Sequence, residues 1–169
     1  VPIIYKCWFD ASFCYNSNLA RCAFIIKNER GNIICKRTSE LFCQNSHEAE
    51  AEALRLLIGH IKAYYPSFAT YKIHGDNRPL IDLVQNPSNA KMKTQTKFAT
   101  IISAFQNLLE THQKVELHWI RRVENSPADK ASREHAYHKE TGTVQISGTN
   151  IKEKIQIYIR TVKRRKWLW

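Results

Sequence analysis

The chain has 169 residues, with 26 Lys and Arg against 15 Asp and Glu, a formal net charge of +11. That length holds one domain with a core that needs no staples, and 43% hydrophobic with 24% charged residues excludes wholesale disorder. The positive balance points to a polyanionic partner, nucleic acid before an anionic membrane, and no apolar run approaches the roughly 18–20 residues that span a bilayer.

Asymmetry sharpens this reading. Residues 151–169 carry seven Lys and Arg against one Glu, so a mildly basic region ends in a strongly basic tail. Five cysteines (Cys7, Cys14, Cys22, Cys35, Cys43) are odd in number and contain no Cys-x-x-Cys pair. They read as free thiols of a reducing, cytoplasmic compartment, not as a disulfide framework or zinc site. Val1–Lys6 lacks the charged, apolar and small-residue order of a secretory signal.

In chain order, Ile3–Asp10 is apolar and aromatic with β-branched residues, which predicts a strand. The polar turn Tyr15-Asn16-Ser17-Asn18 leads to a second strand, Leu19–Lys27. Asn28-Glu29-Arg30-Gly31 is a turn signal, and a third strand, Asn32–Phe42, returns from it to complete an antiparallel meander. The period then becomes helical: Leu54, Leu57, Ile58 and Ile61 predict a helix from Ser46 to Tyr64, closed by Pro66. Tyr71–Gly75 is a short strand, and Arg78–Gln85 a brief helix with Pro79 in its first turn. Asn86-Pro87-Ser88-Asn89 breaks that helix. A strongly amphipathic helix follows, with Phe98, Ile101, Ile102, Phe105, Leu108 and Leu109 on one stripe. Lys114–Arg122 is the last core strand and Pro127–Lys139 the last core helix. The order β-β-β-α-β-α-α-β-α predicts an α/β fold with a five-stranded mixed sheet flanked by helices. The domain spans residues 1–142, and residues 143–169 form a basic, Trp-containing extension. Within it Ile151, Ile155, Tyr158 and Val162 suit a helix, whereas Ile155, Ile157 and Ile159 suit a strand.

Four carboxylates fall at telling places. Asp10 closes an apolar strand, where a turn residue is the ordinary explanation. Stepping back by four and seven from Leu54 and Leu57 lands on Glu50, which puts a carboxylate on the core-facing stripe. Such a group must be paired, protonated or bound to metal. Its neighbours Glu48 and Glu52 read as solvated. Asp76 follows a strand directly and precedes a helix, where α/β sheets place ligands, although Asp76 or Asn77 would also serve as an N-cap. Asp129 lies in the first turn of a helix, where the macrodipole alone favours an acid. Together the four can meet at one edge of the sheet. Converging carboxylates repel unless divalent cations neutralise them, and oxygen-only ligands select Mg²⁺ or Mn²⁺. Two such ions suit in-line phosphodiester cleavage.

These residues and this element order resemble type 1 ribonuclease H. The matching motifs are Trp8-Phe9-Asp10-Ala11-Ser12, the run from Asn45 to Leu54, His74-Gly75-Asp76-Asn77 with Leu80–Val84, and Val123–Ala131. The resemblance covers about residues 3–138. It implies a ribonuclease H-like fold and hydrolysis of the RNA strand of RNA–DNA hybrids by two Mg²⁺ ions, with Mn²⁺ as a substitute, leaving 3′-hydroxyl and 5′-phosphate ends. It also implies a catalytic and metal-binding set of Asp10, Glu50, Asp76 and Asp129, with no small-molecule cofactor. The segment Arg121–Ser126 is short and has no histidine, unlike the loop of many members, so the resemblance is to a short-loop branch. His118 reads as structural, and Trp8 as a core residue.

Substrate contacts are expected at Asn16, Gln44, Asn45 and Asn77 in polar loops beside the site, since hybrid shape is read through phosphates and 2′-hydroxyls. In the tail, Lys163, Arg164, Arg165 and Lys166 precede Trp167 and Trp169, a segment suited to tracking phosphates and stacking on bases. Alternatives are the same fold acting on double-stranded RNA or DNA, and a catalytically silent nucleic-acid-binding module.

Overall fold

The computed structural model describes residues 1–140, and side chains through Arg133. The expectations for the tail, including Lys163, Arg164, Arg165 and Lys166 and the boundary at residue 142, lie outside the described residues.

Three antiparallel strands, β1 (Ile4–Cys14), β2 (Leu19–Lys27) and β3 (Ile33–Phe42), form the meander. The β1–β2 turn places Asn18 at φ 54°, a left-handed conformation that Asn tolerates better than most residues. In the β2–β3 turn the Asn28 side-chain oxygen accepts from the backbone N–H groups of Arg30 (3.1 Å) and Asn32 (3.0 Å). Helix α1 (Ser46–Tyr64) crosses to β4 (Thr70–Gly75), which lies parallel to β1. Helices α2 (Arg78–Gln85), α3 (Met92–Lys97) and α4 (Ala99–Thr111) lead to β5 (Lys114–Trp119), parallel to β4. A 3₁₀ turn over Arg122–Asn125 opens α5 (Ser126–Glu140). The sheet order is β3-β2-β1-β4-β5, the expected five-stranded mixed sheet.

Helix α1 packs on one face of β1 and β2, with α4 against it, and α5 packs on the opposite face. That sandwich explains why β2 is buried along nearly its whole length. The main core is closed by Phe9, Ile26, Leu54, Leu57, Ile58, Ile61, Tyr71, Ile73 and Leu108. All five cysteines are free thiols. Among the described residues, no helix is long and apolar enough to cross a membrane.

Several boundaries differ from the expected ones for physical reasons. Strand β1 runs on past Asp10 because β2 pairs with it as far as Cys14↔Leu19, so Asp10 lies inside the strand. The amphipathic segment divides at Phe98 (φ −108°, ψ 20°), and Leu109 ends up 47% exposed on its rim. Strand β5 stops at Trp119, where its β4 partner ends at Gly75. Trp8 is not in the core, because it alternates with the core residues Cys7 and Phe9 and so faces the other side of the sheet.

Helix α1 starts at a capping residue, Asn45, whose side chain accepts from the Glu48 N–H (2.9 Å), while Glu48 reaches back to the Gln44 N–H (2.8 Å). Asn45→Ala is expected to lower stability by about 1 kcal/mol. A urea titration checks this, and an unchanged midpoint would show that the cap contributes nothing.

Candidate active site

The parallel ladder between β1 and β4 ends at Trp8↔His74. Two residues beyond that pair on each strand come Asp10 and Asp76, so both carboxylates stand where the two chains part. Gly75 lets β4 pass close over the Phe9 ring, and the Gly75 carbonyl accepts from Ile120 N–H (2.9 Å). The Trp119 indole N–H donates to the Asp76 carbonyl (3.1 Å), which ties the first residue outside the strand back to β5.

Glu50 comes from the second turn of α1 and is buried, as its helical register requires. Its Oε1 accepts a long hydrogen bond from Ala11 N–H (3.4 Å). Its Oε2 is buried with no donor against it. One carboxylate oxygen from each of Asp10, Glu50 and Asp76 lies within 4.8 Å of the others. Asp10 is 4% exposed and Glu50 8%, while Asp76 is half-buried.

The electrostatics follow from that crowding. Burial pushes the Asp10 carboxyl up to about 7; a hydrogen bond with Glu50 opposes the rise, and the charges of Asp76 and Asp129 add to it. Glu50 is held well above the ordinary carboxylate range, first by burial and then by the charge of Asp10. Glu50 Oε2 nonetheless has no donor within reach among the described residues. The donor set fits a divalent cation with oxygen preference: Asp10, Glu50 and Asp76 would hold it, and it would offset their charge.

Asp129 is near this group but not in it. Its Oδ1 is held by Arg133 (3.1 Å) within α5 and faces Arg122 (3.7 Å). The link runs through Ser132, whose hydroxyl lies 2.8 Å from the Asp129 carbonyl and 3.4 Å from Asp10 Oδ2.

Of the expected substrate contacts, Asn16 is exposed in the β1–β2 turn and Gln44 is exposed just before α1. Asn45 and Asn77 are engaged as helix caps, Asn77 accepting from Leu80 N–H (3.1 Å), which leaves their NH₂ groups unused by the caps. Asn77 and His47 also border a mainly apolar cavity of about 410 Å³ between α2, α3 and the first turn of α1, lined by Leu80, Leu83 and Phe98.

Two polar residues were not singled out in advance. Asn125, fully buried, donates from Nδ2 to the Phe9 carbonyl (3.0 Å) and fastens the short β5–α5 loop beside Asp10. Ser132 is the other, and its spacing of three from Asp129 on a helix was the available signal.

The model of a family described as reverse transcriptase-like matches residues 8–135. RNase H1 from the halophilic archaeon Halobacterium salinarum NRC-1 superposes with a TM-score of 0.67 at 15% identity, over 78% of this chain and 96% of that one. LC11-RNase H1, from compost, in complex with an RNA/DNA hybrid gives 0.63 at 17% identity, over 75% and 92%. The N-terminal RNase H domain of a Mycobacterium tuberculosis protein, fused to maltose-binding protein, gives 0.67 at 11% identity, over 83% and 99%. No curated protein matches the chain. The chain belongs to the reverse transcriptase-like family and has the fold of type 1 ribonuclease H.

Proposed function

We propose that this protein is an endoribonuclease that hydrolyses the RNA strand of RNA–DNA hybrids with divalent metal ions, leaving 3′-hydroxyl and 5′-phosphate ends. The observation that carries the reading is the buried group of Asp10, Glu50 and Asp76, with Glu50 Oε2 lacking any donor. A domain that only bound nucleic acid would have no use for three crowded acids facing a polyanion.

Asp10, Glu50 and Asp76 would hold the metal in this reading, with Asp129 as the fourth acid beside them. When bound, two Mg²⁺ ions, or Mn²⁺ in their place, supply activation of the attacking water and stabilisation of the leaving 3′-oxygen. The chain's own contribution is position: β1 and β4 present two acids from a rigid sheet, and α1 presents the third from a capped helix. The net charge of +11 favours approach of the polyanion. Asn16, Gln44, Asn45 and Asn77 contact the hybrid near the site, and Lys163, Arg164, Arg165 and Lys166 hold phosphates further off. The RNA/DNA hybrid bound to the similarly folded LC11 enzyme supports this choice of substrate.

The test is cleavage of an end-labelled RNA–DNA hybrid in Mg²⁺ and in Mn²⁺, beside double-stranded RNA and double-stranded DNA. Cleavage confined to the RNA strand of the hybrid is expected, and Asp76→Asn loses at least about 100-fold in rate, since even partners of metal ligands cost 10–100-fold. Cleavage of double-stranded RNA or DNA instead would move the assignment to another nuclease of this fold. Binding without any cleavage would make the domain a silent binding module.

A further inference from the structure

The face of the sheet that carries Asp10 is ordered in rows. Lys27, Lys6, Lys72 and Glu116 lie opposite one another across β2, β1, β4 and β5. Two residues further along, Trp8, His74 and His118 form the next row on the same face. Trp8 and His74 stack at 5.2 Å and 20°, and His74 and His118 at 5.6 Å and 28°. Lys27 Nζ closes the inner end, 5.0 Å from the Trp8 ring. Another two residues on, the strands reach Asp10 and Asp76.

The ladder has a direction. Its rings face each other, so only the terminal ring can take a further planar group. That ring, His118, sits on the edge strand β5, and its side chain is 49% exposed with Nε2 on Glu116 (3.0 Å). Lys6 is exposed in the neighbouring row, and Lys72 is half-exposed beside it. Helix α5 meets this face at the other end of β1, where Ser132 touches Asp10 and Ser12, and leaves Lys6 exposed.

We propose that this face is a track for single-stranded nucleic acid leading away from the carboxylate group, with a base stacking on the outer side of His118 and phosphates on Lys6 and Lys72. The inference deepens the nucleic-acid reading above and rests on it. Charge selects the occupant. The row holds three lysines against Glu116, and its net positive charge attracts a phosphate chain. Lys6 lies four residues from Asp10, about 13 Å along the strand, so the track serves nucleotides beyond the scissile one.

The experiment measures binding and is independent of cleavage. Fluorescence anisotropy of labelled oligouridine and oligothymidine is followed with the full chain in EDTA. His118→Ala and Lys6→Glu, both at exposed positions, are compared with Lys62→Glu on the opposite layer, and melting curves confirm that each variant folds. His118→Ala is expected to weaken binding about 5–10-fold, the loss of one stacked base. Lys6→Glu reduces the slope of log affinity against log salt by about 0.7 or more. Lys62→Glu binds like the parent. Oligonucleotide affinity unchanged in His118→Ala and Lys6→Glu, or no oligonucleotide binding by the parent, overturns the track whether or not hybrids are cut. Selective loss in those two variants with an enzyme that cuts no hybrid would sustain the track and sink the ribonuclease assignment.

Discussion

Asp10→Asn and Glu50→Gln are each expected to abolish cleavage and yet to stabilise the metal-free protein at pH 8. Both effects arise from one cause, the cost of holding ionised carboxylates together out of water. Asp10 has a folded-state pKa of about 7 against an ordinary 3.8, so below pH 4 it is protonated whether folded or not. Between pH 4 and 7 the folded state holds a proton that the unfolded state has released. Stability therefore falls as pH rises through that window, and the penalty is complete above it. Glu50, also held high by burial and by Asp10, acts in the same direction. A rise of about three units corresponds to roughly 4 kcal/mol, shared between the two acids, so neutralising one recovers on the order of 2–4 kcal/mol. Melting in EDTA should show the variants gaining on the parent from pH 5 to pH 8, by about 5–10 °C at the upper end. In the parent, Mg²⁺ should raise the melting temperature far more at pH 8 than at pH 5, because binding requires the ionised acids. A parent-minus-variant difference that is flat with pH would mean that the carboxylates do not repel as their burial requires.

The part of this site that was readable in sequence was the part governed by local periodicity. Glu50 was placed on the buried stripe of α1 by its spacing from Leu54 and Leu57, and the helix itself runs over Ser46–Tyr64 as expected. Strand β2 and helix α2 likewise have the expected bounds, because turn residues mark their ends. What periodicity does not carry is pairing. Asp10 looked like a strand end because it is polar, but β1 continues for four residues more on the strength of its ladder with β2. Trp8 looked like core because it is large, although strict alternation with Cys7 and Phe9 assigns it to the other face. Asn125 and Ser132 act across 116 and 122 residues of sequence, on Phe9 and Asp10, and no local pattern announces such contacts. Asp129 was expected among the four acids. Its position in the first turn of α5 is as read, but two arginines, one a single helical turn away at Arg133, draw its carboxylate aside.

Gly75→Ala should damage this protein more than its size suggests, and Phe9→Leu should repair the damage. A Cβ at position 75 would stand 2.4 Å from Cζ and 2.6 Å from Cε1 of Phe9. Those distances force a movement, and the ring has little room to make one, because Phe9 is fully buried in the main core. Either the ring is driven deeper or β4 lifts from β1. Both routes end at the carboxylates: Asp10 follows Phe9, Asp76 follows Gly75, and Asn125 is bonded to the Phe9 carbonyl. The expected cost is about 2–3 kcal/mol from overpacking, together with a fall in cleavage rate that persists at temperatures where the variant is fully folded. Phe9→Leu alone should cost about 1–2 kcal/mol from the smaller side chain. Combined, the two changes should cost less than their sum, since the shorter side chain vacates the space the new methyl needs, and cleavage should return toward the Phe9→Leu level. Urea melts and initial rates on the four proteins complete the cycle. Strictly additive costs would show that the close passage of β4 over Phe9 does not set the separation of Asp10 and Asp76.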